Sequence, residues 1–144
     1  MQSSKNGYRH IWLLAGTGEG SILATALLEQ GWMVTVSVVS DQGSWPYLEM
    51  PLTSVLIGAL EGVEGIKNIF KKAQCLHQGF DLVIDATHPF AVEISRNLQQ
   101  ACNEFNQPLL RFERSCENLP STFNLQKIKD LSNYCLRGRN VLIA

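Results

Sequence analysis

Short apolar runs alternate with segments of helical period along most of the chain. "HIWLLAG", residues 10–16, reads as a first strand ending on glycine. Residues 20–30, "GSILATALLEQ", place Ile22, Leu23, Ala26 and Leu27 on one helical face, with Gly31 as a natural stop. "MVTVSVVS" is a second strand rich in β-branched residues, "DQGSWPYLEMP" a loop full of turn signals, and "SVLIG" a short third strand. Residues 61–76 are helical by pattern, with Val63, Ile66, Ile69, Phe70 and Ala73 apolar and Lys67, Lys71 and Lys72 on the wet face. "FDLVIDA" is a fourth strand. The helix of residues 90–105 carries a core stripe of Ile94, Leu98, Ala101, Cys102 and Phe105, and "PLLRFE" is a fifth strand. Strands that alternate with helices predict an α/β protein with an open parallel sheet of about five strands and helices on both faces.

After residue 115 the pattern weakens. A short helix near Asp130 to Leu136 is expected, then "NVLIA", which reads as a strand with nothing beyond to pair with or cover it. A C-terminal region missing from this chain is therefore expected.

Composition narrows the function classes. The chain has 144 residues, 45% of them hydrophobic, and a formal net charge of -1, as expected of an ordinary globular protein. The polar start "MQSSKNGYRH" is not a signal peptide, and no apolar run approaches a membrane span, so a cytoplasmic protein without a membrane partner is expected. Between Arg9 and Lys67 there is no Lys or Arg, whereas Glu19, Glu29, Asp41, Glu49, Glu61 and Glu64 fall in that gap, which argues against a nucleic-acid groove there. Cys75, Cys102, Cys116 and Cys135 form no C-x-x-C pair and read as reduced thiols, with no metal site expected.

Ligands of open parallel sheets sit at the carboxyl ends of the strands. Three polar segments fall there. The first is Gly16-Thr17-Gly18-Glu19-Gly20-Ser21 between strand and helix, where glycines let the backbone approach a phosphate and the helix N-terminus offers N–H groups. It departs from G-x-G-x-x-G in that Ser21 stands where the third glycine belongs. The second segment brings Ser37 and Ser40, whose small hydroxyls tolerate a 2'-phosphate and lean toward NADP. The third is "DATHPF", with Asp85, Thr87, His88, Pro89 and Phe90. Thr87 or His88 can cap the following helix and Phe90 can staple it, but an imidazole at this edge is a poor cap and a poor core residue, which marks His88 as chemical. Arg111 and Arg114 at the end of the fifth strand can reach a carboxylate-bearing ligand, with Glu113 beside them as an ion-pair partner.

"LLAGTGEG", "VSVVS", "DATHPFA" followed by "ISRNLQQAC", and "PLLRFERS", in that order over residues 10–115, resemble the N-terminal domain of the precorrin-6A reductase (cobalt-precorrin-6A reductase) family. The resemblance implies a Rossmann-like domain over 1–115, with 116–144 a linker and the start of a second α/β domain that is otherwise missing. It also implies NADPH, with NADH as the alternative, delivering hydride to precorrin-6A or cobalt-precorrin-6A in cobalamin biosynthesis, in a cleft between two domains. Gly16, Thr17, Gly18, Glu19 and Gly20, with Ser37, Ser40 and Thr87, then belong to the cofactor. Asp85 and His88 are the catalytic candidates, and Pro89, Phe90, Ser95, Arg111 and Arg114 face the substrate. Family members commonly carry arginine near the place of Ser21, and its absence here bears on phosphate affinity. The competing reading is a non-catalytic nucleotide- or tetrapyrrole-binding module that needs a partner domain or chain. A flavodoxin-like receiver lacks its acids here, and a short-chain dehydrogenase its Tyr-x-x-x-Lys.

Overall fold

A computed structural model describes residues 9–113. The predicted loop and helix beyond residue 113, "NVLIA" and Arg114 lie outside them. Five strands, β1 (His10–Ala15), β2 (Met33–Val38), β3 (Ser54–Ile57), β4 (Leu82–Ala86) and β5 (Leu109–Arg111), form one all-parallel sheet in the order β3-β2-β1-β4-β5. The helices are α1 (Glu19–Glu29), α2 (Asp41–Ser44), α3 (Gly62–Cys75) and α4 (Val92–Glu104). This is the predicted Rossmann-like sheet, and its strand order reverses between β1 and β4. No helix among the described residues is long and apolar enough to cross a membrane.

The two-residue period of the strands sorts their side chains between two cores. Ile11, Leu13, Ala15, Val34, Val36, Val38 and Ile84 pack with Ala24 of α1 and with Tyr47. Trp12, Leu14 and Val83 pack on the opposite face with Ile66 and Phe70 of α3 and Leu98, Ala101 and Cys102 of α4. Burial on both faces is why β1 is a continuous apolar run rather than an alternating one. Burial also pushes the Cys102 thiol up to about 11, so it packs as a small apolar group.

Three local expectations are corrected. The "DQGSWPYLEMP" segment is not plain loop: Ser40 caps the four-residue α2, accepting from the Gly43 N–H at 3.2 Å, and a 3-10 turn follows at Trp45–Tyr47. Helix α1 buries Gly20 and Ala24, whereas Ile22 and Ala26 face outward. The cause is close approach: a methyl on Gly20 would overlap the Tyr47 hydroxyl and the Ala15 methyl, so the helix seats on its smallest residues. Lys67 leaves the wet face and bridges α3 to α4 through Glu104, with Glu64 at 2.9 Å.

Beneath the sheet's apolar rows lies a polar chain. His10 Nδ1 donates to the Gln78 carbonyl (3.0 Å), so its Nε2 accepts from the Thr35 hydroxyl (2.8 Å), which lies 3.2 Å from the Ser54 hydroxyl. Burial lowers the His10 pKa below its ordinary 6.5, outweighing the opposing effects of the Gln78 carbonyl and Asp81. The folded state thus holds His10 neutral, and its contribution to stability is present above pH 6.5 and declines as pH falls below it. We expect the urea midpoint to fall between about pH 7.5 and about pH 5.5, and His10→Gln to flatten that slope. Equal slopes in both proteins would refute the assignment.

Candidate functional site

Strand register builds the site. Across the sheet's carboxyl edge Leu56, Ser37, Leu14, Asp85 and Arg111 stand opposite one another on neighbouring strands, so Asp85 and Arg111 are adjacent on the face that α3 and α4 cover. Asp85 is 2% exposed. A carboxylate so buried needs partners, and four donors supply them. Oδ1 accepts from Arg111 Nη1 (2.7 Å), from the Thr87 hydroxyl (2.6 Å) and from the Thr87 N–H (3.1 Å). Oδ2 accepts from the Ser95 hydroxyl at 2.6 Å. Ser95 reaches it because it lies on the inward stripe of α4, one turn before Leu98. Burial raises the Asp85 pKa, but the bonds from Ser95 and Thr87 and the Arg111 charge outweigh it, and the carboxyl stays below its ordinary 3.8.

The same network draws Arg111 inward. Its Nη1 also donates to Thr87 Oγ1 (2.9 Å) and Ser95 Oγ (3.1 Å), and its Nε to Glu113 (3.2 Å). Arg111 therefore stands away from the cleft, behind the His88 turn.

Neither Thr87 nor His88 caps α4. Ala91 holds the N-cap position, and no side chain bonds the helix's first N–H groups. The Thr87 hydroxyl has gone down to Asp85, while Pro89 and Phe90 form a turn closed by the Ala91 N–H on the His88 carbonyl at 2.8 Å. Phe90 is 83% exposed and staples nothing. His88 is exposed, tilted against the Phe90 ring, and its Nδ1 accepts from the Phe90 N–H at 3.2 Å. With Nδ1 an acceptor, the neutral ring carries its proton on Nε2, which is a donor.

A cleft of about 580 Å³ opens at this edge. Its floor is Leu14, Ala15, Gly16, Ser37 and Val38. Gly58 to Leu60 and Gly62 at the start of α3 form one wall, and Thr87, His88 and the first turns of α4 form the other. Gly16 joins floor to wall, since a methyl there would come within 3.0 Å of the His88 nitrogen and 3.1 Å of the Thr87 Cα. Of the glycine loop only Gly16 lines the cleft. Thr17, Gly18 and Glu19 lead into α1, and Gly20 is buried against Tyr47. Ser37 is on the floor but its hydroxyl already accepts from Trp12 Nε1 (2.8 Å), and Ser40 serves α2. Pro89 is exposed outside the lining.

Sequence reasoning missed the wall at 58–62, which looked like the mere end of a strand, and Glu93 and Asn97, which α4 turns to the cleft at a spacing of one helical turn. The visible signal was Asn97, which already stood in the "ISRNLQQAC" stretch after "DATHPFA". Helices α1, α3 and α4 follow β1, β3 and β4 of the parallel sheet, which puts their N-termini and the positive ends of their dipoles at its carboxyl edge, and none of the three has a side-chain cap. The cleft-lining residues include no Lys or Arg.

The family model described as "Precorrin-6x reductase CbiJ/CobK" matches residues 10–144. A precorrin-6A reductase of Mycobacterium tuberculosis is 37% identical over 105 residues, covering 72% of this chain and 39% of the relative. A cobalt-precorrin-6A reductase of Synechocystis is 29% identical over 138 residues, covering 92% and 51%. A solved structure named CobK precorrin-6A reductase superposes with a TM-score of 0.62 at 34% identity, covering 74% of this chain and 39% of that one. The chain spans about two-fifths of the length of the first of these relatives. With the sheet order, the DATHPF turn and a match over nearly all its length, this chain belongs to the precorrin-6x reductase CbiJ/CobK family.

Proposed function

We propose that this chain is the cofactor-binding half of a cytosolic reductase that reduces precorrin-6A or cobalt-precorrin-6A in cobalamin biosynthesis, with NADPH as hydride donor. One observation carries the reading: the cleft at the β1/β4 reversal is mostly apolar, has His88 and Asn97 among its lining donors, and opens at the sheet edge where α1, α3 and α4 begin without side-chain caps. Uncapped N–H groups suit a diphosphate and apolar walls suit a nicotinamide ring.

In this reading Gly16 to Glu19 and the start of α1 hold the cofactor diphosphate, and Gly20 permits the helix to seat. Ser37, Ser40 and Thr87 border the ribose. The bound nicotinamide supplies the hydride, and the protein's share is position and proton. His88 Nε2–H donates to the reacting region or to a peripheral carboxylate of the substrate. Pro89 and the exposed Phe90 offer a flat apolar face to the macrocycle, and Arg114 reaches its carboxylates. Asp85 and Ser95 act behind this surface, since the carboxylate is enclosed by its own donors.

Calorimetric titration of this chain with NADPH and NADH tests the cofactor claim. We expect saturable NADPH binding with Kd below about 1 mM. Because no Lys or Arg lines the cleft, the 2'-phosphate has only N–H groups and hydroxyls to hold it, and tighter NADH binding would move the assignment to NADH. Absence of heat with either at millimolar concentration would overturn the proposal. Tight binding by a full-length protein that turns over no substrate would favour the binding-module reading.

A further inference from the structure

We propose that Arg111 is a positioning residue: through Asp85, Thr87 and Ser95 it locks the DATHPF turn so that His88 presents its Nε2–H to the cleft. The inference rests on His88 being the ligand-facing donor of the proposed function.

The lock has two sides. From behind, Arg111 Nη1 touches Asp85 Oδ1, Thr87 Oγ1 and Ser95 Oγ at 2.7, 2.9 and 3.1 Å, tying the end of β5 to the end of β4 and the first turn of α4. The Asp85 carboxylate takes both the Thr87 N–H and the Thr87 hydroxyl, an Asx-type turn that sets the backbone leading directly into His88. The Phe112 N–H on the Asp85 carbonyl at 2.9 Å holds β5 in register beside it. From the front, Gly16 lets the strand pass close to the turn, since a Cβ there would come within 3.0 Å of the His88 nitrogen. What remains to the residue is its ring, whose Nδ1 accepts a 3.2 Å bond from the Phe90 N–H two residues on in the same turn. Remove the guanidinium, and Thr87 loses one of the two groups that hold its hydroxyl. The turn then loosens at the residue before His88, and the Phe90 N–H no longer selects one tautomer. A guanidinium with its fork suits this task better than an ammonium, because one plane must serve Asp85 and Glu113 together.

The test uses the full chain labelled with 15N-histidine, read in long-range 1H–15N spectra at a pH where the rings are neutral, with His88→Ala assigning the signal. Wild type is expected to show His88 as one tautomer, protonated on Nε2. In Arg111→Met the two His88 nitrogens converge toward averaged shifts, and in Arg111→Lys they converge part of the way. His10, protonated on Nδ1 and far along β1, reports an intact fold in the same spectrum. Ser95→Ala, which keeps the charge pair and deletes one member of the network, is the second variant should Arg111→Met fail to fold. It is expected to move His88 in the same direction by less. An unchanged His88 tautomer in a folded Arg111→Met, or in Ser95→Ala if that is the folded variant, overturns the proposal. No ligand is present in this measurement, so its outcome is independent of the NADPH titration.

Discussion

Asp85→Ala is expected to lower the unfolding free energy by about 3 kcal/mol, most of it from stranding what the carboxylate held. The residue is enclosed, and its four donors come from three places: two from Thr87 in the turn after β4, one from α4 and one from β5. Breaking a fully buried pair costs about 3 to 5 kcal/mol, and the lower end applies because Arg111 is 27% exposed and can turn to water or Glu113. Asp85→Asn keeps the shape and part of the hydrogen bonding, and should lose less than Ala. The acid limb supplies a second check. Because the folded pKa lies below the ordinary 3.8, the charge contributes fully above that value, and its contribution disappears as pH falls through the lowered one. Asp85→Asn should therefore be less sensitive to acid than wild type. Urea denaturation at neutral pH and at about pH 3 measures both effects. A loss below about 1 kcal/mol for the alanine variant would mean that the network is not a stabilising unit.

Trp12→Ala is expected to cost about 3 to 5 kcal/mol, a large share of the 5 to 15 kcal/mol typical of a domain. Trp12 is fully buried in the middle strand, stacks on Phe80 at 5.4 Å and meets Phe70 edge-on at 5.5 Å. Truncation opens a cavity under α3 and strands the Ser37 hydroxyl, whose one described partner is the indole N–H. Trp12→Phe refills most of the volume but not the hydrogen bond, and should cost about 1 to 2 kcal/mol. Thermal unfolding followed by circular dichroism separates the two. Equal losses would assign the effect to the indole N–H rather than to the cavity.

Much of the fold could be read in the chain. Strands β1, β2 and β4 were visible because burial on both faces makes them continuous apolar runs, β3 and β5 as shorter apolar runs at the sheet's edges, and α3 and α4 because Ile66 with Phe70, and Leu98 with Ala101 and Cys102, recur at helical spacing. Helix α1 was misread in rotation: Ile22 counted as core by hydrophobicity, yet it is 69% exposed, because close approach to β1 selects Gly20 and Ala24 by size. The site was legible as a list of residues and not as a division of labour. DATHPF stood out as polar chemistry at a ligand edge. Nothing local told that Thr87 would turn down to Asp85 and leave α4 without a side-chain cap, or that Phe90 would stand in solvent.

By itself the sequence determined the order of strands and helices, the glycine loop after β1 and the arrival of DATHPF at a strand's carboxyl end. These follow from periods of 2 and 3.6 residues and from the demands of Gly and Pro, all properties of neighbours along the chain. Only the tertiary structure decided that Leu14 stands opposite Asp85, Asp85 opposite Arg111, and Ser95 above them. Those meetings depend on strand register and on which face each crossover covers. Both are chosen by the burial of two cores at once, a long-range condition that no short stretch of the chain contains.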